Sequence, residues 1–180
     1  MYVLGYYIIL FTRFIGVAIL FVYPLAGWLI LTALDTWDYG ISLRAGIDFK
    51  KYQIFDKSLD LWFNVFMLLS AWYYQWPNSS IFLALFLLRF LGDMFLLITH
   101  KRIFLLYFPN IIHFFYPLYL IYLYLLQDKF NNNLVLLVLL VVATLLKLFE
   151  EYQLHFKNYI DYNSKNFLNG SGTGKLRPYR

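Results

Sequence analysis

From Leu134 to Leu146 the chain is apolar on every face, with one hydroxyl, that of Thr144, and no charge to give the stretch a polar side. A segment of this kind cannot lie half-solvated on a protein surface, so it must be surrounded by other apolar groups or by lipid. Comparable stretches recur along the sequence, and hydrophobic residues make up 62% of it against 14% charged. The composition therefore predicts an integral membrane protein. The strands of a transmembrane barrel would alternate apolar and polar residues over about ten positions, which these runs do not. With about 20 residues for each helical crossing, the chain fits an all-α, polytopic membrane helix bundle. Its six transmembrane helices are expected over 2–20, 22–43, 56–75, 80–100, 104–126 and 133–153.

The first division rests on Tyr23, Pro24 and Gly27, because proline restricts its own backbone and that of its predecessor. The later turns are plainer: Gln75 to Ser80 and Gln127 to Asn133 are polar, turn-prone connectors. No internal repeat is visible, and the N-terminus lacks the basic leader and small-residue site of a cleavable signal peptide. Two regions follow, a transmembrane domain over 1–155 and a basic, flexible cytoplasmic tail over 156–180.

Lysine and arginine accumulate in short loops on the cytoplasmic side of a membrane. Arg44, Lys50, Lys51 and Lys57 follow the second segment, Lys101 and Arg102 the fourth, and five more basic residues occupy the tail, whereas the opposite loops offer only Lys129. An even number of crossings with both termini cytoplasmic accounts for this distribution, and a five-crossing arrangement would misplace one cluster. The net charge of +5 then reflects topology and attraction to anionic lipid, not nucleic-acid binding. A multi-pass protein of the cell membrane is expected, with a homodimer through helix faces as its assembly. The aromatic residues, 23% of the chain, read as lipid-facing packing and interfacial anchors, and the absence of cysteine excludes disulfides and thiol chemistry.

Chemistry is to be sought where acid enters these apolar segments. Asp35 and Asp38 close the second segment and Asp56 and Asp60 open the third, at helical spacings that put each pair on one face. A carboxylate in a membrane costs several kcal/mol unless paired, hydrated or metal-bound, so all four are functional candidates. At about 1.5 Å per residue, Asp38, Asp60 and Asp93 lie roughly 6 to 11 Å from the cytoplasmic end, with Arg13, Asp35 and Arg89 deeper and Asp56 near the surface. This layer predicts a polar cavity open to the cytoplasm. The competing reading is that of hydrated helix-end aspartates that only set topology.

The stretch Asp35-Thr-Trp-Asp38-Tyr-Gly-Ile-Ser-Leu-Arg44, continued by Tyr52-Gln-Ile-Phe-Asp56-Lys-Ser-Leu-Asp60, resembles the signature of the CDP-alcohol phosphatidyltransferase family, D-x-x-D-G-x-x-A-R-x8-G-x-x-x-D-x-x-x-D. All four aspartates fall in register. Tyr39 and Tyr52 stand at its glycine positions and Ser42 and Leu43 at its Ala-Arg pair, with Gly40 and Arg44 one residue beyond. Two tyrosines there would either obstruct a nucleotide pocket or stack on a base. The resemblance implies a six-helix fold and transfer of a phosphatidyl or phospho-alcohol group from a CDP-alcohol or CDP-lipid donor to an alcohol acceptor, with release of CMP, in phospholipid synthesis. It implies Mg²⁺ or Mn²⁺ as cofactor, suited to oxygen ligands, and paired ions that clamp the reacting phosphates. By position Asp35, Asp38, Asp56 and Asp60 form the metal-binding set, with Asp60 also the general base. Tyr39, Gly40, Ser42, Arg44, Tyr52, Lys57 and Arg89 form the substrate-binding set.

Other polar residues have plainer readings. Arg89 and Asp93, one turn apart, are expected to pair with each other. His100 and His113 are too far apart in sequence to form a metal pair, and Glu150, Glu151 and His155 read as a solvated helix terminus. Two further functions stay open: a relative that binds lipid or nucleotide without turnover, and a small transporter or assembly subunit whose acids carry protons or ions.

Overall fold

The computed structural model describes residues 2–47, 49–99, 103–126 and 133–155, without the side chains of Tyr39, Leu43, Phe49, Lys50, Lys51, Gln53, Ile103, Leu126, Gln153, Leu154 and His155. The proposed tail over 156–180 and the expected roles of His100, Lys101, Arg102 and Lys129 lie outside the described residues. Every regular element among them is helical: α1 (Tyr2–Gly16), a 3₁₀ turn (Val17–Phe21), α2 (Pro24–Ala45), α3 (Phe49–Tyr73), α4 (Ser79–Thr99), α5 (Ile103–Tyr107), α6 (Ile111–Leu126) and α7 (Asn133–His155). Four stretches are long and apolar enough to cross a membrane, namely Tyr2–Phe21, Ser79–Thr99, Phe104–Leu125 and Asn133–Tyr152. The chain is thus an all-α protein of membrane type. Helices α2 and α3 carry the paired aspartates.

The breaks have local causes. Pro24 takes the first position of α2, where its missing N–H would have had no partner in the helix. Helix α2 stops at Gly46, whose positive φ of 68° favours glycine. Beyond it the Ile47 amide donates back to the Ser42 carbonyl at 3.2 Å, the bond of a Schellman cap. Only Gly46, Ile47 and Asp48 separate α2 from α3 in sequence, and the Tyr52 hydroxyl of α3 reaches Asp38 of α2. The sequence had placed the start of α3 at 56, but the structure begins it at Phe49.

The fifth segment, expected as one helix over 104–126, is two. Pro109 restricts Phe108 and removes a backbone donor, so α5 ends at Tyr107 and α6 begins at Ile111. Helix α4 packs against this break so closely that a Cβ on Gly92 would lie 2.5 Å from the Cβ of Phe108.

The core runs from Val17, Leu20 and Leu31 through Phe63 and Met67 to Phe82, Phe115, Tyr116 and Tyr119. The aromatic residues therefore do more than face lipid, because Phe82, Phe115 and Tyr116 are fully buried beneath Trp76. Their cluster forms around the α3–α4 turn, at the opposite end of α3 from Asp56 and Asp60. One end of α3 meets the aromatic cluster, and the other holds Asp56 and Asp60.

Candidate functional site

Helix α1 buries one face made of Tyr6, Ile9 and Arg13, at spacings of three and four residues. Arg13, 4% exposed, projects from this face to the place where α2 and α3 present their aspartates. Its Nη2 lies 2.6 Å from Asp35 Oδ1 and 3.4 Å from Asp60 Oδ1. Nη1 donates to Asp38 and stands 3.6 Å from Asp56 Oδ1. One guanidinium, with its fork of five donors, thus faces four carboxylates drawn from two helices.

Other contacts fix the acids individually. Tyr52 donates its hydroxyl to the second oxygen of Asp38 at 2.9 Å. Lys57 donates to Asp60 at 2.7 Å and lies 2.9 Å from Asp56. Asp38 is wholly buried and Asp56 nearly so. Asp56 lies two turns inside α3 and not at its first residue, because the helix starts seven residues ahead of it. Asp35, which the sequence put deeper, keeps 35% of its side chain exposed. Asp35, Asp38 and Asp56 each offer a carboxylate oxygen within 4.8 Å of the others.

The remaining substrate-binding candidates divide. Tyr52 and Lys57 reach the acids as above. Ser42 is buried on α2. Gly40 is exposed, and a Cβ there would meet nothing within 4 Å, so it does not line this centre. The Arg44 guanidinium is drawn instead over the Tyr2 ring, 5.9 Å from its centroid. Arg89 is buried and pairs with Asp93 at 3.2 Å, as its spacing predicts. Its Nη1 approaches the Phe108 carbonyl at 3.5 Å. The Tyr39, Lys50 and Lys51 side chains lie outside the described residues.

His113 is wedged between the Trp28 and Phe63 rings, with centroids 5.5 and 5.7 Å away, which is packing. The solvated terminus expected at Glu150 and Glu151 is corrected at Glu151 alone, since Glu150 keeps 39% of its side chain exposed. Glu151 is 5% exposed, and the buried Lys147 ammonium sits 2.6 Å from Glu150 and 3.2 Å from Glu151. An unpaired lysine in an apolar helix would be costly, and Lys147 pairs with the buried Glu151 and with the partly exposed Glu150. Sequence reasoning passed over Lys147, and it placed Arg13 in the layer of the aspartates without pairing it to them. The one signal for Arg13 was its charge within an otherwise apolar α1.

Four carboxyl groups meet two cationic side chains here, so acids outnumber their basic partners by two. Hard oxygen donors with that surplus suit one divalent cation of the Mg²⁺ or Mn²⁺ type. A pair of such ions fits less well, because the guanidinium already stands among the carboxylates. Comparison with protein-family models, with curated proteins and with solved structures returns no match.

Proposed function

We propose that the chain is an integral membrane phosphotransferase similar to the CDP-alcohol phosphatidyltransferases. It moves a phosphatidyl or phospho-alcohol group from a CDP-alcohol to an acceptor hydroxyl and releases CMP. The observation that supports this most is the convergence of Asp35, Asp38 and Asp56 within 4.8 Å across two helices, with Asp60 tied to the same centre through Arg13 and Lys57. In this reading Asp35, Asp38 and Asp56 hold a Mg²⁺ or Mn²⁺ ion, which would supply charge stabilisation to the phosphates. Asp60, ionised beside Lys57, takes the proton of the acceptor hydroxyl. Arg13 and Lys57 hold the carboxylates in register and limit the charge that a phosphate must approach. All six sequence segments cross the membrane of the cell in this account, both termini are cytoplasmic, and the centre opens to that side.

A second reading, a relative that binds without turnover, is favoured by a specific contact. Tyr52, at a glycine position of the resembled signature, spends its hydroxyl on Asp38 and adds a ring where that signature leaves space. Thermal unfolding of the detergent-purified protein separates the readings from the transporter alternative. A ligand that prefers the folded state raises its apparent stability. With Mn²⁺ present, CDP-diacylglycerol should raise the melting temperature of the wild type and leave Asp38→Asn unmoved. No response to metal or cytidine ligand in two detergents would turn the assignment away from the transferase and its binding-only relative. Flux in liposomes without divalent metal would then support a transporter.

A further inference from the structure

Beside the acidic centre, α1 and α3 form a groove that the function proposed above leaves unused. Tyr7, Leu10, Phe11 and Phe14 of α1 and Phe55 and Leu59 of α3 line it, over a volume of about 570 Å³ and with almost no polar surface. Its walls are the sequence neighbours of the charged side chains. Phe55 and Leu59 immediately precede Asp56 and Asp60, and Leu10 and Phe14 stand on either side of Arg13. With 3.6 residues to a turn, the apolar and the charged side chains therefore take adjacent faces of the same two helices at the same depth. Trp62 closes the groove at Phe14. Its ring stacks on Phe14 with centroids 5.1 Å apart, and its indole N–H donates at 3.0 Å to the Phe14 carbonyl, which belongs to the last turn of α1, where helical partners run out.

We propose that this groove seats an acyl chain of a lipid donor whose phosphate end lies at the acidic centre. In a membrane every exposed apolar face meets acyl chains, and position singles this one out. A second groove, of about 760 Å³ between α5 and α7 and lined by Leu106, Leu145 and Phe149, is as apolar, but its helices carry none of the four aspartates. A molecule with phosphates at one end and an apolar chain at the other needs polar and apolar contacts side by side, and α1 and α3 supply both from one seam. The groove runs along Asp56, a member of the proposed metal set, as well as Asp60, so a chain tied to the held phosphate leaves the centre here. The inference rests on the transferase reading for the phosphate end. It goes beyond that reading in making the donor the lipid and in seating its chain between α1 and α3.

The test is photolabelling of the detergent-purified full chain, with Mn²⁺ present, by CDP-diacylglycerol that carries a diazirine in one acyl chain, followed by mass spectrometry of the labelled peptides. Label should concentrate on residues 7–14 and 55–59, and unlabelled CDP-diacylglycerol should displace it where phosphatidylcholine and diacylglycerol do not. Any label between α5 and α7 should yield to all three alike. Leu10→Trp fills the groove and should cut the displaceable label about tenfold, the scale of an overpacked contact, while CDP alone still raises its melting temperature as in the wild type. Should that variant fail to fold, displacement in the wild type decides the matter alone. Groove label that phosphatidylcholine displaces equally well, which marks bulk lipid, or that diacylglycerol displaces in preference, which marks a lipid acceptor, would overturn the proposal. So would displaceable label confined to other residues, or none anywhere. Failure of the transferase reading shows separately: displaceable groove label without CMP release leaves the acyl site standing, and CMP release with the label elsewhere leaves the transferase.

Discussion

Arg13 illustrates how a single residue can be both the largest electrostatic cost and its remedy. A guanidinium in an apolar helix is expensive alone, as are four carboxylates brought within a few ångströms of one another, and each makes the other tolerable. Removing one partner of a buried ion pair typically costs about 3 to 5 kcal/mol. Arg13→Gln without metal should therefore lower stability by about that much, measured by denaturant or thermal unfolding, and Mn²⁺ should restore part of the loss. Tyr52→Phe removes a hydrogen bond to a buried carboxylate, worth about 1.5 to 3 kcal/mol, and the same unfolding measurement should show a loss in that range. The aspartates themselves were legible in the sequence, because acids at helical spacing on the edges of apolar runs admit few readings. Arg13 was legible only as a member of their layer, since a lone charge names no partner until the helices are packed. Glu151 misled for the same reason, as its partner Lys147 lies a turn away in a helix that otherwise reads as lipid-facing.

At the scale of elements, two short features hold the site in place. Gly46 caps the end of α2, and the Pro109 break lets α4 settle against Phe108. A Cβ at a left-handed position costs roughly 1 to 2 kcal/mol, so Gly46→Ala should destabilise by about that amount and loosen the register between the two aspartate pairs. Gly92→Leu forces a large side chain against a Cβ that even alanine would approach at 2.5 Å. Overpacking of this kind costs about 1 to 3 kcal/mol or more, and the variant should show lower folded yield in detergent-resistant chromatography. Helix positions followed from the apolar runs, and the α1–α2 division followed from Pro24. The start of α3 did not, because Lys50, Lys51 and Lys57 make its first turns read as a loop, although residues paired within the bundle and residues in water look alike in a sequence. The fifth segment was read as unbroken despite Pro109, since hydropathy averaged over the run conceals a single missing donor.

For the whole molecule, the polarity of the bundle is the main result. Acids and their counter-charges gather where α1, α2 and α3 meet, while the far end of α3 is closed by Trp76, Phe82, Tyr116 and Tyr119. The proposed six crossings would put the Gly46 turn and the Trp76–Asn78 turn on opposite faces of the membrane. The chain has no cysteine, so single cysteines placed at Gly46 and at Asn78 can be labelled in intact cells with an impermeant maleimide. Asn78→Cys should react from outside and Gly46→Cys only after permeabilisation, and reaction of both from one side would contradict the six-crossing arrangement. In the proposed topology the acidic centre would lie on the cytoplasmic side, which would suit chemistry on a substrate delivered from there. The most direct measurement is CMP release from CDP-diacylglycerol by the purified protein with Mn²⁺ and a panel of acceptor alcohols, in wild type and Asp60→Asn. The account predicts metal-dependent CMP release with at least one acceptor, abolished in Asp60→Asn while that variant still binds Mn²⁺. Release that persists in Asp60→Asn, or none from the wild type with any acceptor while the donor demonstrably binds, would contradict it.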